Sequence, residues 1–469
     1  MTDIIYPTLD LFVYDLRNAL GEGHDELQKN REFFQAKLPS DTHDILFQKD
    51  TVFEDEYIEL LSKVKGFQTS NEPYPLGGYY YPVRLNDMYG LLLDCSVNNQ
   101  TDAQPAESFK ELKAELEQRL NHQPVTMGQT WMISGWLPQS EEQSPEAIAQ
   151  ACYKALMPGS NWERNLEGQG QFLGATVFEL SHYRIVIPEG GASPQTIPNS
   201  QENQHVIIII YPDKETAEKS ANFYHHWLRL FSYRHKILWS YAQSRLLKRA
   251  IKNRSADIEK HRQAISQHQS NYQEEQLRDV LKRVQNNMNF YTIELYQIEF
   301  QGGIIDINLS NYQKRLETIQ ERLKTTKKNT EDDLSFFDKF PKLVKGKYLL
   351  QIAKDSENLK RILKLQEDTI NAVRSRVEVE KAERDRNFQD VIAILGVGWS
   401  VASFLPSSEK EKEKVCKTES KSEVPFPQSL IPMAQKVSVA IVAAAFAWLL
   451  IRLWPGLSKL IPLVPKKKK

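Results

Sequence analysis

Four carboxylates, Glu378, Glu380, Glu383 and Asp385, fall within eight residues of one another, a few positions ahead of an uncharged run that opens at Val391. Repeated around a symmetry axis, such side chains form a ring that concentrates cations at a pore entrance. Here they alternate with Lys381, Arg384 and Arg386, which favours a salt-bridged helix face in water. Within the uncharged run, Gly396, Gly398, Trp399 and Ser400 are the residues that would line a pore or admit a neighbouring helix.

Other groupings carry less chemistry. Glu167-Gly168-Gln169-Gly170-Gln171-Phe172-Leu173-Gly174 has the glycines of a loose dinucleotide loop, but it precedes a strand pattern instead of leaving one and opening a helix. A turn is the simpler reading. His225 and His226 are adjacent and are expected on different helix faces, while His261 and His268 share a polar face without a third donor. There is no Gly-x-Ser-x-Gly elbow, no Gly-Lys-Ser/Thr phosphate loop and no His-Glu-x-x-His pair. Cys95, Cys152 and Cys416 are scattered and odd in number, which excludes a disulfide framework and a zinc ligand pair. The chain reads as a non-enzyme with no cofactor and no metal site.

The acids and the glycine pair sit at the end of a long helical pattern. With a positions at Leu349, Ser356, Leu363, Ile370 and Val377, and d positions at Ile352, Leu359, Gln366, Val373 and Glu380, seven of ten seam sites are apolar. The heptad does not name its partner, which is either another copy of the chain or another part of the same chain. No proline interrupts Lys342 to Leu405, so the stalk of residues 347–390 is free to continue into a first, short membrane segment at 391–405. A polar linker, 406–436, leads to a second and stronger segment at 437–454, whose one charge, Arg452, is close enough to the end to reach the interface. A basic tail, 455–469, ends in Lys466, Lys467, Lys468 and Lys469. These residues are expected to anchor the tail at lipid. The positive-inside rule then places the amino-terminal domain and the carboxyl terminus together in the cytoplasm. The opening MTDIIYPTLD has neither a basic leader nor a long apolar core, so the later helices are expected to direct insertion.

Residues 1–215 mix helical and strand periodicity. Helices are expected over Leu9–Leu20, Asp25–Lys37, Glu54–Lys65, Ser108–Asn121 and Pro145–Met157. Strands are expected over Gly78–Leu85, Tyr89–Cys95, Thr130–Trp136, Gln171–Leu180, Tyr183–Pro188 and His205–Tyr211. Together they make an α+β or α/β domain. The unalternating run Val206 to Ile210 suits a central strand covered on both faces.

Residues 216–346 carry no proline before Pro341, and their only glycines before that point are Gly302 and Gly303. Two long helices separated at these glycines, the first about Lys214–Phe300 and the second Ile304–Lys328, form a coiled layer with the stalk. At a formal charge of −1 the chain has no global field for nucleic acid. Its basic run Arg245, Lys248, Arg249, Lys252 and Arg254 reads as a water-facing helix face.

This order of parts resembles the CorA-type magnesium transporter superfamily. The resemblance is architectural, covers residues 1–469, and implies a stalk that assembles as an oligomer and a first membrane helix that lines a pore. The family's outer-loop Gly-Met-Asn signature is absent; the corresponding point reads Ser403-Phe404-Leu405-Pro406-Ser407-Ser408. Two functions follow as expectations. One is a membrane-anchored, non-enzymatic adaptor or sensor that binds the lipid bilayer, a second copy through the stalk and a cytoplasmic protein. The other is a CorA-like channel or membrane effector gated by its cytoplasmic domain.

Overall fold

Alternate residues of the amino-terminal strands are apolar on both sides, which requires helices on both faces of one sheet. The computed structural model describes residues 2–18, 24–48, 50, 56–70, 74–138, 144–185, 201–267, 274–326 and 332–381. Both membrane segments, the linker and the tail lie outside the described residues, as do Gly396, Gly398, Trp399, Ser400, Arg452 and Lys466 to Lys469.

The strands are β1 (Asp3–Leu16), β2 (Tyr57–Glu59), β3 (Lys65–Gln68), β4 (Leu76–Leu85), β5 (Met88–Val97), β6 (Ala103–Pro105), β7 (Gly128–Trp136), β8 (Leu166–Phe172), β9 (Ala175–Ile185) and β10 (Gln201–Tyr211). They form one sheet in the order β2-β4-β5-β1-β7-β10-β9-β8, with β3 beside β4 and β6 beside β1. β7 and β10 run parallel and the other pairings are antiparallel.

One face carries α1 (His24–Gln35), α2 (His43–Leu46), α3 (Ser108–Arg119), α4 (Pro145–Leu156) and α5 (Trp162–Asn165). Phe34, Phe109, Leu112, Ile148 and Cys152 pack there on Leu9, Leu11, Val13, Val206, Ile208 and Ile210. α4 starts at Ser144, whose hydroxyl accepts the Ala147 amide at 3.2 Å, with Pro145 as the first helical residue.

The other face carries Phe12, Tyr14, Met132, Ile207 and Ile209. It is covered after Pro212 by the short α6 (Lys214–Ser220) and then α7 (Tyr224–Gln267), 44 residues long. α8 (Glu274–Thr326), 53 residues, packs along α7. The chain then returns to the sheet edge, where Asp333 pairs with Gln171 of β8, and passes through α9 (Lys339–Leu343) and a π-helical turn, Val344–Leu349, into α10 (Leu350–Lys381). α7, α8 and α10 make a three-helix arm.

The expected central strand is found. Val206 to Ile210 lie between β7 and β9 and are at most 1% exposed. Each such aliphatic side chain is worth about 2 kcal/mol of burial. The helices expected near Asp25, Ser108 and Pro145 also form.

Four expectations fail. Leu9–Leu20 is not a helix: its first part belongs to β1, whose apolar residues fill both faces and so imitate helical spacing. The described part of Glu54–Lys65 holds the short β2, paired with β4. Gly302 and Gly303 do not separate two helices, because α8 runs straight through them; α7 ends at Gln267 and α8 opens at Glu274. Tyr183 to Ile185 extend β9 and do not begin a strand of their own.

Candidate functional site at the sheet and helix junction

α7 leaves the sheet and becomes the first helix of the arm, so the side chains beneath it couple head to arm. Tyr14 of β1 donates its hydroxyl proton to the Leu228 carbonyl at 2.7 Å, and Tyr183 of β9 donates to that of Leu238 at 3.0 Å. Between them lies a buried polar chain. Thr130 Oγ1 is 2.8 Å from His205 Nδ1 and 2.8 Å from His235 Nε2, and His205 Nε2 is 3.1 Å from Glu179 Oε1. Arg234 faces Glu179 at 3.8 Å and donates to Ser181 Oγ at 2.8 Å. Three neighbouring strands and α7 each contribute a member.

Burial sets the protonation of these groups. It holds both His205 and His235 well below the usual imidazole range, with Arg234 adding to the effect. The Glu179 carboxyl is pushed up to about 7 by burial, against the pull of Arg234. With neutral rings and Glu179 ionised, the hydrogen bonds run in one sense: His235 Nε2–H to Thr130, Thr130 O–H to His205 Nδ1, and His205 Nε2–H to Glu179. Hydroxyl, imidazole and carboxylate stand in the order used for nucleophilic catalysis. Thr130, His205 and His235 have no exposed surface, however, and the arrangement acts as a lock between sheet and helix. Gly128 belongs to it, since with φ at 149° a side chain there would be strained and would overlap the His235 ring.

A second buried group lies near the start of α7. Asp10 of β1 stands opposite Asp94 of β5, and Tyr224 donates to Asp10 Oδ2 at 2.8 Å. Burial and the neighbouring carboxylate raise Asp10 well above the usual range; burial pushes Asp94 up to about 7. Two buried carboxyls so placed resist ionising together.

The heptad seam is placed inside the chain. Ile352, Leu359 and Leu363 are buried in the core cluster of the arm, with Leu349 and Ile370 packed against it. Tyr291 of α8 donates to the Leu359 carbonyl at 2.9 Å, and Gln366 donates to Ser255 of α7 at 2.7 Å. Val373 and Val377 lie on α10, their side chains outside the described residues. The basic run of α7 is not simply solvated. Arg245 and Lys248 hold Asp355 of α10 at 2.5 and 2.6 Å, and Arg254 holds Glu294 of α8 at 2.9 Å. Burial alone would raise Asp355, but these cations outweigh it and keep its carboxyl below the usual range.

The loose glycine loop is strand β8. A Cβ at Gly168 would lie 2.5 Å from Phe336 Cβ, so the glycine admits the returning chain. His261 Nδ1–H donates locally to the Asp257 carbonyl at 2.7 Å, and His268 lies outside the described residues. Cys95 and Cys152 are buried free thiols. Among the described residues no group of three His, Cys, Asp or Glu side chains is placed to hold a metal, and no helix is long and apolar enough to cross a membrane.

Sequence reasoning did not find the polar chain. Its members are far apart, and the one local signal is a polar residue inside a buried strand, as with His205 before Val206-Ile207-Ile208 or Asp94 after Leu91-Leu92-Leu93. Comparison with known protein families, curated proteins and solved structures finds no match to this chain.

Proposed function

We propose that this chain is a membrane-tethered, non-enzymatic adaptor: a sheet head on a three-helix arm, held to lipid by residues 391–405 and 437–454, and paired with a second copy through the outer face of α8. The observation that carries the reading is an apolar stripe on that face. Phe290, Ile293, Tyr296 and Ile307 are 52, 54, 40 and 64% exposed, and the half-buried Phe300 and Ile304 join them at helical spacing. The stripe spans about 26 Å at 1.5 Å per residue. Apolar surface of this extent marks an interaction site.

Charge selects the occupant. From Gln285 to Gln313 the helix has no Lys or Arg, and of its three acids Glu294 pairs with Arg254 and Glu299 with Lys360. Such a face offers nothing to a strongly charged partner or an anionic lipid surface, and nothing that repels an identical face. A two-fold pairing uses the same patch on both copies. Tethering in one bilayer raises the effective concentration, so a modest patch suffices. The seam of α10 is occupied within the chain, so the pairing is assigned to the α8 stripe and not to that seam.

Two measurements test this. The full chain should sediment with membranes and require detergent for release; recovery in the soluble fraction sinks the tether. Its mass in detergent should be that of a dimer and fall to a monomer in Ile293→Asp/Ile307→Asp, while Phe300→Cys in a Cys416→Ser background should cross-link to itself. A monomeric parent without cross-linking removes the pairing.

A further inference from the structure

Where α7 begins and α8 ends, five basic side chains converge. His225 and His226 come from the first turn of α7, Arg229 from the second, and Arg315 and Arg322 from α8. The two imidazoles do not diverge as expected from their adjacency; their ring centroids are 3.9 Å apart. Arg315 Nη1 is 3.3 Å from His226 Nδ1, and Arg322 Nη1 is 3.2 Å from His226 Nε2. Arg229 lies over the Tyr57 ring at 4.2 Å and Arg322 over that of Phe223 at 5.7 Å. No carboxylate among the described residues pairs with any of the three arginines.

The hydrogen-bond count is incomplete as it stands. A neutral imidazole has one lone pair and one N–H, yet both ring nitrogens of His226 face guanidinium donors. One of them therefore sets N–H against N–H in a side chain only 4% exposed. Arg229 Nε and Arg315 Nε are also buried without an acceptor. Burial and the surrounding cations push His226 down to about 4 and hold His225 below its ordinary value. Unpaired buried donors and uncompensated positive charge are both relieved by one thing, an acceptor-rich anion.

We propose that this cluster binds a phosphate-bearing anion, with Arg315 and Arg322 supplying forked donors, Arg229 a stacked guanidinium and the His225–His226 pair further N–H groups. Planar guanidinium forks match phosphate oxygens in pairs. The proposal is independent of the pairing through α8.

The test uses the full chain in phosphatidylcholine nanodiscs. Inorganic pyrophosphate is titrated in one arm; in the other the discs contain phosphatidylinositol phosphate. The imidazole resonances of His225 and His226 should shift in at least one arm. A shift with free pyrophosphate identifies a soluble phosphate as the source, and a shift with the lipid alone identifies a headgroup. Arg315→Gln/Arg322→Gln should weaken binding about tenfold or more, the scale of lost charge-assisted hydrogen bonds. Lys324→Gln, on the same turn but outside the cluster, should leave it unchanged. No imidazole shift in either arm overturns the site whether or not the double variant folds. Equal loss in Lys324→Gln reduces it to general charge attraction and overturns it as well.

Discussion

Gly302 of α8 faces Ile352 of α10 so closely that a Cβ at 302 would lie 3.3 Å from Ile352 Cγ2, whereas a Cβ at the neighbouring Gly303 would meet nothing within 4 Å. The two glycines therefore do different things inside one continuous helix. Gly302 lets two helices approach; Gly303 only weakens α8. Gly303→Ala should stabilise the chain by about 1 kcal/mol through helix propensity and a restricted unfolded state. Gly302→Leu should destabilise it by about 1–3 kcal/mol by forcing Ile352 aside. Urea midpoints of the two variants check this, and equal effects would sink it.

Asp355 is the ionic joint of the arm. It is 4% exposed, forms an ion pair with Arg245 and accepts a charge-assisted hydrogen bond from Lys248, both on α7, while Gln351 donates from its own helix. Asp355→Asn leaves two cations beside a neutral amide. The expected cost is about 2–3 kcal/mol, below the range for a wholly buried pair because Lys248 is partly in water. Amide exchange should speed up along α10 more than in β7 or β10. Uniform acceleration would mean that the arm does not open separately.

What the sequence reveals of this fold depends on how local each constraint is. Val206 to Ile210 could be placed because five consecutive aliphatic residues admit few other readings, and Ser144-Pro145 marks a helix start by its own cap and backbone chemistry. β1 was illegible for the opposite reason: Leu9, Leu11 and Val13 serve one face and Phe12 and Tyr14 the other, so no period of two survives. Gly302 reads as a stop only until Ile352, fifty residues on, supplies its reason. The heptad from Leu349 shows that α10 packs along a helix, but Tyr291 of α8 and Ser255 of α7, which identify its two partners, share no spacing with it. The Thr130, His205 and Glu179 chain exists only after the sheet order sets β7, β10 and β9 side by side.

Thr130 serves two imidazoles with one hydroxyl. Thr130→Val keeps the shape and removes both bonds, so His205 Nδ1 and His235 Nε2 lose their partner in a site with no exposure. An unsatisfied buried polar group costs about 1–3 kcal/mol, so a loss near the upper end or above is expected. Thr130→Ser retains the hydroxyl and should recover most of it. If valine and serine variants unfold at the same urea concentration, the hydroxyl does not hold α7 to the sheet.

The Asp10 and Asp94 pair sets a pH dependence whose sign is opposite to that of ordinary salt-bridged carboxylates. Both side chains have folded-state values above the usual carboxylate range, Asp94 up to about 7, chiefly from burial. Between the ordinary carboxylate value near 4 and about 7, the folded chain holds a proton that the unfolded chain has released. Stability from this pair is therefore complete below the unfolded value and is lost as pH rises through the folded one. Asp355 and Glu357, held below the usual range, act in the other direction at lower pH, so the parent's curve alone does not isolate the pair. The comparison with Asp94→Asn does. The amide keeps the size, removes one titration and relieves Asp10 of its neighbouring charge. Asp94→Asn should gain on the parent steadily from pH 4 to pH 7, while Glu357→Gln, at an exposed site, should show no such gain. Parallel unfolding curves for parent and Asp94→Asn across that window would show that Asp10 and Asp94 hold no such proton.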